Sequence, residues 1–169
     1  EFEPVTMSTP IDIWDLETRA PDGTPYLFAE RLARRVGNRA ADLRADALAC
    51  LTRQWLRDED TLNLYGWWPQ RGTTPVLIFS GAGFDRLRAA GHETDRASAN
   101  VLVTALAGYL ADVGTHSRAP QSCPLGYNEQ RKLENITGRQ DFDPTCRARL
   151  KKKIPGRLPA LEALLKALP

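Results

Sequence analysis

A chain of 169 residues with 42% hydrophobic and 26% charged residues has the composition of a globular protein, long enough to bury a sizeable core as one domain. No run approaches the ~18 to 20 consecutive apolar residues of a membrane span, so no membrane partner is expected. The formal charge of +2 hides a division: residues 1–116 hold 12 Arg, no Lys and 16 acids, whereas residues 117–169 hold 11 basic and 5 acidic residues. A basic C-terminal third of this kind fits either a solvated helix face or a surface for nucleic acid.

Residues 1–10 read as a disordered or expression-derived segment ahead of a single α+β domain, 11–169. Ile11–Asp15 alternates apolar and polar residues and predicts a short edge strand, followed by a turn at Pro21–Pro25. Helix spacing of Leu27, Phe28, Leu32 and Val36 predicts a helix from Pro25, broken at Gly37-Asn38. A second helix would carry Leu43, Ala47, Leu48, Leu51 and Trp55, with Cys50 buried in it as a small hydrophobe. Leu62–Trp68 reads as a strand with a bend at Gly66, joined in a hairpin to a buried strand at Pro75–Ser80. Phe84–Ala90 is a short helix ended by Gly91. His92 then falls in a turn, and Glu93 and Asp95 supply the acidic start of the next helix. That helix, about 94–113, is apolar on nearly every side, so packing must surround it, and Gly114 supplies its stop. Asn128–Asn135, Asp143–Lys153 and Leu158–Leu168 read as three further helices. Asp143 is the N-cap of the second and Pro144 its first residue.

Three features bear on chemistry. Ser80-Gly-Ala-Gly-Phe84 lies between a strand and a helix, the setting of a phosphate-binding turn, but it has no third glycine and no following lysine. The residues Trp67 and Trp68, with Arg147, Arg149, Lys151, Lys152 and Lys153, are candidates for contacting a partner; nucleic acid would also use Arg131, Lys132 and Arg139. His116, Cys123 and Cys146 offer one nitrogen and two sulfurs, and Asp143 stands three residues before Cys146, where a Cys-x-x-Cys pair would place its first sulfur. Zinc bound structurally, a disulfide, or an unligated thiol pair all fit this set.

The stretch from Gly114 to Lys153 also resembles a known family. A buried helix ending in Gly-x-His, a Cys-Pro-apolar turn, a Tyr-Asn, a polar helix and Asp-Phe-x-x-x-Cys-Arg-x-x-Leu is similar to the C-terminal half of archaemetzincin-like zinc peptidases; with the preceding strand, turn and helix, the likeness covers about Leu62 to Lys153. The resemblance implies a zincin-like fold. It matches His116 to the third histidine of the family's His-Glu-x-x-His-x-x-Gly-x-x-His motif. The first histidine, the glutamate, the second histidine and the glycine fall on Leu106, Ala107, Leu110 and Val113. Of four zinc-binding cysteines in the family, Cys123 and Cys146 match two, while Ser117 and Asp143 replace the others. The implied protein is a catalytically inactive zincin-like module that binds another protein, with no cofactor expected beyond a structural zinc. The alternatives are a nucleic-acid-binding protein and an enzyme taking a phosphate-bearing ligand at Gly81–Gly83. The odd count of cysteines and the Ala- and Arg-rich composition favour a cytoplasmic, bacterial setting.

Overall fold

The computed structural model describes residues 11–42, 47–69, 76–89, 91, 94–117, 123–127, 134–137 and 141–167. It is a mixed α/β architecture with two three-stranded sheets. After a turn of 3-10 helix at Ile11–Ile13, strands β1 (Trp14–Arg19) and β2 (Pro25–Phe28) form an antiparallel hairpin, and β4 (Leu56–Arg57) adds in parallel to β2. The second sheet runs β3 (Leu48–Thr52), β6 (Val76–Ser80), β5 (Gly66–Trp67), with β3 parallel and β5 antiparallel to β6. Helix α1 (Ala29–Asp42) covers one face of β6, packing Leu32, Ala33 and Val36 with Val76 and Ile78. Helix α3 (Thr94–Ala111) covers the other, where Ala97 and Val101 pack with Phe79. Burial on both faces is why Val76–Ser80 is a continuous apolar run rather than an alternating one.

The opposite side of α3 packs Val103, Ala107 and Ala111 against a C-terminal layer of α5 (Pro144–Lys153) and α6 (Leu158–Lys166). A helix packed on two sides has no wide polar face, which accounts for its apolar sequence. Between these lie short helices α2 (Phe84–Ala89) and α4 (Glu134–Thr137). No helix among the described residues is long and apolar enough to cross a membrane.

Several expectations need correction. The predicted start of the first helix is strand β2, because Tyr26 and Leu27 are both buried between β1 and β4. Helix α1 continues through Gly37 and Asn38, since its apolar face is already anchored and a glycine costs only about 1 kcal/mol there. The predicted second helix is instead β3 and β4. Leu48 and Cys50 are half-buried and alternate with exposed Ala49 and Leu51, a period of two set by pairing with β6. Cys50 still packs on the apolar cluster beneath α1, where burial pushes its thiol up to about 11. The strand expected at Leu62–Trp68 is confined to Gly66–Trp67 and a bridge from Leu64 to Leu56, with Asn63 at φ 58 interrupting the extended chain. The edge strand predicted at Ile11–Asp15 begins only at Trp14. Helix α3 is stopped by Asp112 rather than Gly114: Asp112 takes φ 49 and the Val113 N–H returns to the Gly108 carbonyl at 3.0 Å. Residues 1–10, Leu43, the turn of the expected hairpin, His92, Glu93, Arg131, Lys132, Arg139 and most of the helix expected at Asn128–Asn135 lie outside the described residues.

The buried Asp15 ties the first sheet together. One carboxylate oxygen accepts the Glu17 and Thr18 N–H groups at 3.0 and 3.1 Å, and the other pairs with the Arg57 guanidinium on β4. Burial alone would raise its pKa; the Thr18 N–H and hydroxyl, Arg57 and the Glu17 N–H outweigh it and pull the value down to about 2. A carboxyl held below its unfolded value stabilises the fold above that unfolded pKa and loses the contribution as pH falls through the folded one. That displacement is worth about 2 kcal/mol at neutral pH. Urea unfolding of Asp15→Asn should therefore show a deficit of this size at pH 7 that shrinks towards pH 2.

Candidate metal centre

Four side chains from three separate segments meet beneath the C-terminal layer. The first segment leaves α3 and places His116 in a bridge to Gly126: the His116 N–H donates to the Leu125 carbonyl at 2.8 Å, and the Tyr127 N–H to the His116 carbonyl at 2.7 Å. The second is the turn Cys123-Pro-Leu-Gly126, closed by the Gly126 N–H on the Cys123 carbonyl at 2.8 Å. Proline at its second position presets the backbone for that turn. The Thr104 hydroxyl on α3 donates to the Pro124 carbonyl at 2.6 Å and fixes the turn against the helix.

The third segment is the start of α5. Oδ1 of Asp143 accepts the Thr145 and Cys146 N–H groups at 2.8 and 3.0 Å, the N-cap expected from the sequence, with Pro144 in the first turn. Because Oδ1 is occupied by capping, Oδ2 is left to face the interior. Cys146, three residues on, projects from the first turn into the same space.

The imidazole of His116, the thiols of Cys123 and Cys146 and the Asp143 carboxylate thus offer one ligand atom each, all within 4.8 Å of one another. Around a tetrahedral zinc the donors stand roughly 3.3 to 3.8 Å apart, so a small contraction would close the set. The cluster is sequestered: the two cysteines are 1% and 2% exposed, and the His116 and Asp143 side chains 12% and 8%. Its two cysteines belong to the same apolar cluster as Val113, Leu125, Phe142 and Leu150.

Nε2 of His116 lies 3.0 Å from Oδ2 of Asp143, yet neither atom has a hydrogen-bond partner, nor does Nδ1 of His116, and all three are buried. Buried polar atoms without partners are costly, and such orphans call for an explanation.

The electrostatics of the metal-free set agree. Burial would raise the Asp143 pKa, but the Cys146 and Thr145 N–H groups on Oδ1 hold it well below the usual carboxylate range. Burial first, and then Asp143 beside it, pushes the Cys146 thiol far up; burial likewise raises Cys123. A dication would invert this balance, because a coordinated thiol gives up its proton outright. None of the three cysteines forms a disulfide, so that alternative for Cys123 and Cys146 does not describe this structure.

All four metal candidates from the sequence therefore come together. Ser117, matched by the resemblance to a cysteine position, is exposed, and its neighbour His116 supplies the fourth donor instead. Ala107 lies fully buried in the apolar cluster with Leu106 packed against it, and Leu110 is half-buried.

Beside the centre, between the segment Thr61–Trp68 and α3, is a cavity of about 320 Å³. Asn100, Val101 and Thr104 line it from α3, and Thr115, Gly126 and Tyr127 line it from the bridge that carries His116. Trp68 lies on its wall with its indole pressed against Gly108, where an added Cβ would meet the ring at 2.3 Å. Trp67 is also half-buried and packs on the cluster beneath α1. The buried Asn100 was not expected from the sequence; the glycine within an alanine-rich helix signals close approach of a neighbouring element at Gly108, but not that the neighbour is Trp68.

The other candidates are placed apart from this centre. At Gly81–Gly83 two N–H groups are spent internally, Gly81 on the Thr52 carbonyl at 2.9 Å and Ala82 on the Ser80 hydroxyl at 3.0 Å, and the following Phe84 N–H is spent on the Gly81 carbonyl at 3.0 Å. Arg147, Arg149, Lys151, Lys152 and Lys153 are exposed on α5. Comparison with known proteins finds no matching family model, no matching curated protein and no matching solved structure.

Proposed function

We propose that this protein is a non-catalytic binding domain of zincin-like build, whose C-terminal layer is held by one structural zinc ion on His116, Cys123, Asp143 and Cys146. The observation that supports the metal is the convergence of four donor atoms within 4.8 Å in a buried pocket, three of whose polar atoms have no hydrogen-bond partner. Two sulfurs, a nitrogen and a carboxylate oxygen suit zinc better than magnesium or calcium, which take all-oxygen sets.

Four protein ligands leave no open coordination position for a water or a substrate, which favours structure over catalysis. The zincin-like part of the reading rests on the strand β6, the turn after it and the long buried α3, with apolar Leu106, Ala107 and Leu110 where the family motif has its ligands and base. Its binding cleft is the cavity beside the metal centre, and its partner another protein. Unbridged thiols favour a cytoplasmic setting.

Metal analysis of protein purified without a metal-affinity step should find one zinc per chain, lost in Cys123→Ser and Cys146→Ser. Cobalt substitution should give the intense visible bands of a tetrahedral thiolate site. Protein from zinc-replete cells that holds no zinc and gives no such spectrum would sink the metal reading, and peptidase activity would sink the non-catalytic one.

A further inference from the structure

The ten residues of α5 include five cations, Arg147, Arg149, Lys151, Lys152 and Lys153, and no acid, and the exposed Arg157 follows in the next turn. Two of these have internal work. Arg147 pairs with Glu162 on α6 at 2.6 Å, and Nζ of Lys153 donates to the Asp112 carbonyl at the end of α3 at 3.3 Å. Arg149, Lys151, Lys152 and Arg157 have no acid within ion-pair distance among the described residues.

Helix stability does not account for them. A cation in the last turn is favoured by the helix dipole, but like charges three or four residues apart, as Arg149 with Lys152 and Lys153, repel one another. With Cys146 and Leu150 buried and ~100° of rotation per residue, Lys151 and Lys152 straddle the outward direction and Arg149 extends the arc to one side. The layer carrying them is itself anchored through Leu158, Leu161 and Leu165 of α6 on α3, so the cations stand on a rigid base.

We propose that Arg149, Lys151, Lys152 and Arg157 form a surface for the phosphate backbone of duplex nucleic acid. A regular array of phosphates is the ligand that satisfies several cations at once, and release of its counterions drives such binding. Single strands are disfavoured because Asp143–Arg157 contains no aromatic side chain on which a base can stack. Anionic membranes are disfavoured because Leu150, the one large apolar side chain of α5, is buried and unavailable for insertion, and the exposed Pro144 and Ala148 are small. The surface goes beyond the zinc reading and does not depend on it.

Fluorescence anisotropy of the whole chain with labelled duplex DNA and duplex RNA tests this. Four phosphate contacts predict a dissociation constant that rises with about the third to fourth power of salt concentration, and Arg149→Ala with Lys152→Ala should remove about half of that slope and weaken binding about tenfold at low salt. Both positions are exposed, so circular dichroism of the double variant should match the parent. Absence of duplex binding at low salt overturns the proposal, as does unchanged binding by the double variant. Binding to phosphatidylserine vesicles without binding to either duplex would also overturn it. Binding of one duplex type and not the other supports it and identifies the source of the phosphates.

Discussion

If the proposed zinc is bound, removing it with a chelator, or replacing Cys146 by alanine, should lower the unfolding temperature by about 10 °C. If zinc stands at a thousand times its dissociation constant, its loss withdraws about 4 kcal/mol, and a chain of this size shifts by roughly 2 to 4 °C per kcal/mol. The loss should be regional. Hydrogen exchange should accelerate in α5, α6 and residues 116–117 and 123–127, which the donors join, while β3 and β6 keep their protection beneath α1. Because Thr115, Gly126 and Tyr127 line the cavity, its wall should loosen in the same experiment.

Asp143 separates the proposed metal role from the helix cap. Asparagine is as good an N-cap as aspartate, so Asp143→Asn retains an acceptor for the Thr145 and Cys146 N–H groups while removing the charged ligand. Asp143→Ala loses both, and should be less stable than Asp143→Asn by about 1 kcal/mol even without metal. If zinc content is the same in Asp143→Asn and the parent protein, the carboxylate is not a ligand and the set reduces to three.

A sign reversal is expected at Gly108. In the parent protein Gly108→Ala drives a methyl group to within 2.3 Å of the Trp68 ring, an overlap that neither the helix backbone nor a planar ring absorbs without moving apart. Overpacking of this kind costs about 1 to 3 kcal/mol, against a gain of at most ~1 kcal/mol from replacing a helical glycine. The clash wins, and the variant should be destabilised with altered tryptophan emission. In a Trp68→Ala background the ring is gone, and the same Gly108→Ala change should be neutral or stabilising by up to ~1 kcal/mol. Equal effects in the two backgrounds would show that the indole does not rest on the glycine. The pair also reports on the cavity, since Trp68 forms part of its wall.

The metal candidates were legible because each stands beside a local signal. Asp143-Pro144 announces a helix start, Cys123-Pro124 a turn and Gly114 the end of an apolar run, so His116, Cys123, Asp143 and Cys146 could be singled out as donors before any contact was known. Their convergence was not legible. It depends on the His116–Gly126 bridge and on the packing of α5 beneath α3, contacts between segments that no local pattern specifies. The same limit explains β3. Leu48, Cys50 and Leu51 have side chains that suit a helix as well as a strand, and only parallel pairing with β6 decides between them.

The sequence by itself determined the elements whose burial is carried by one segment: the apolar strand Val76–Ser80, the long helix α3, the Asp-capped α5 and the amphipathic α6. It also set the basic character of α5, since charge needs no partner to be read. Only the tertiary structure decided that α1 runs through Gly37, that Asp112 ends α3, that Gly108 receives Trp68, and that four donors share one buried space. The physical reason is common to all four. Propensity and periodicity are sums over neighbours along the chain, whereas a close approach or a ligand set is a coincidence of distant residues whose energy exists only once the layers have packed.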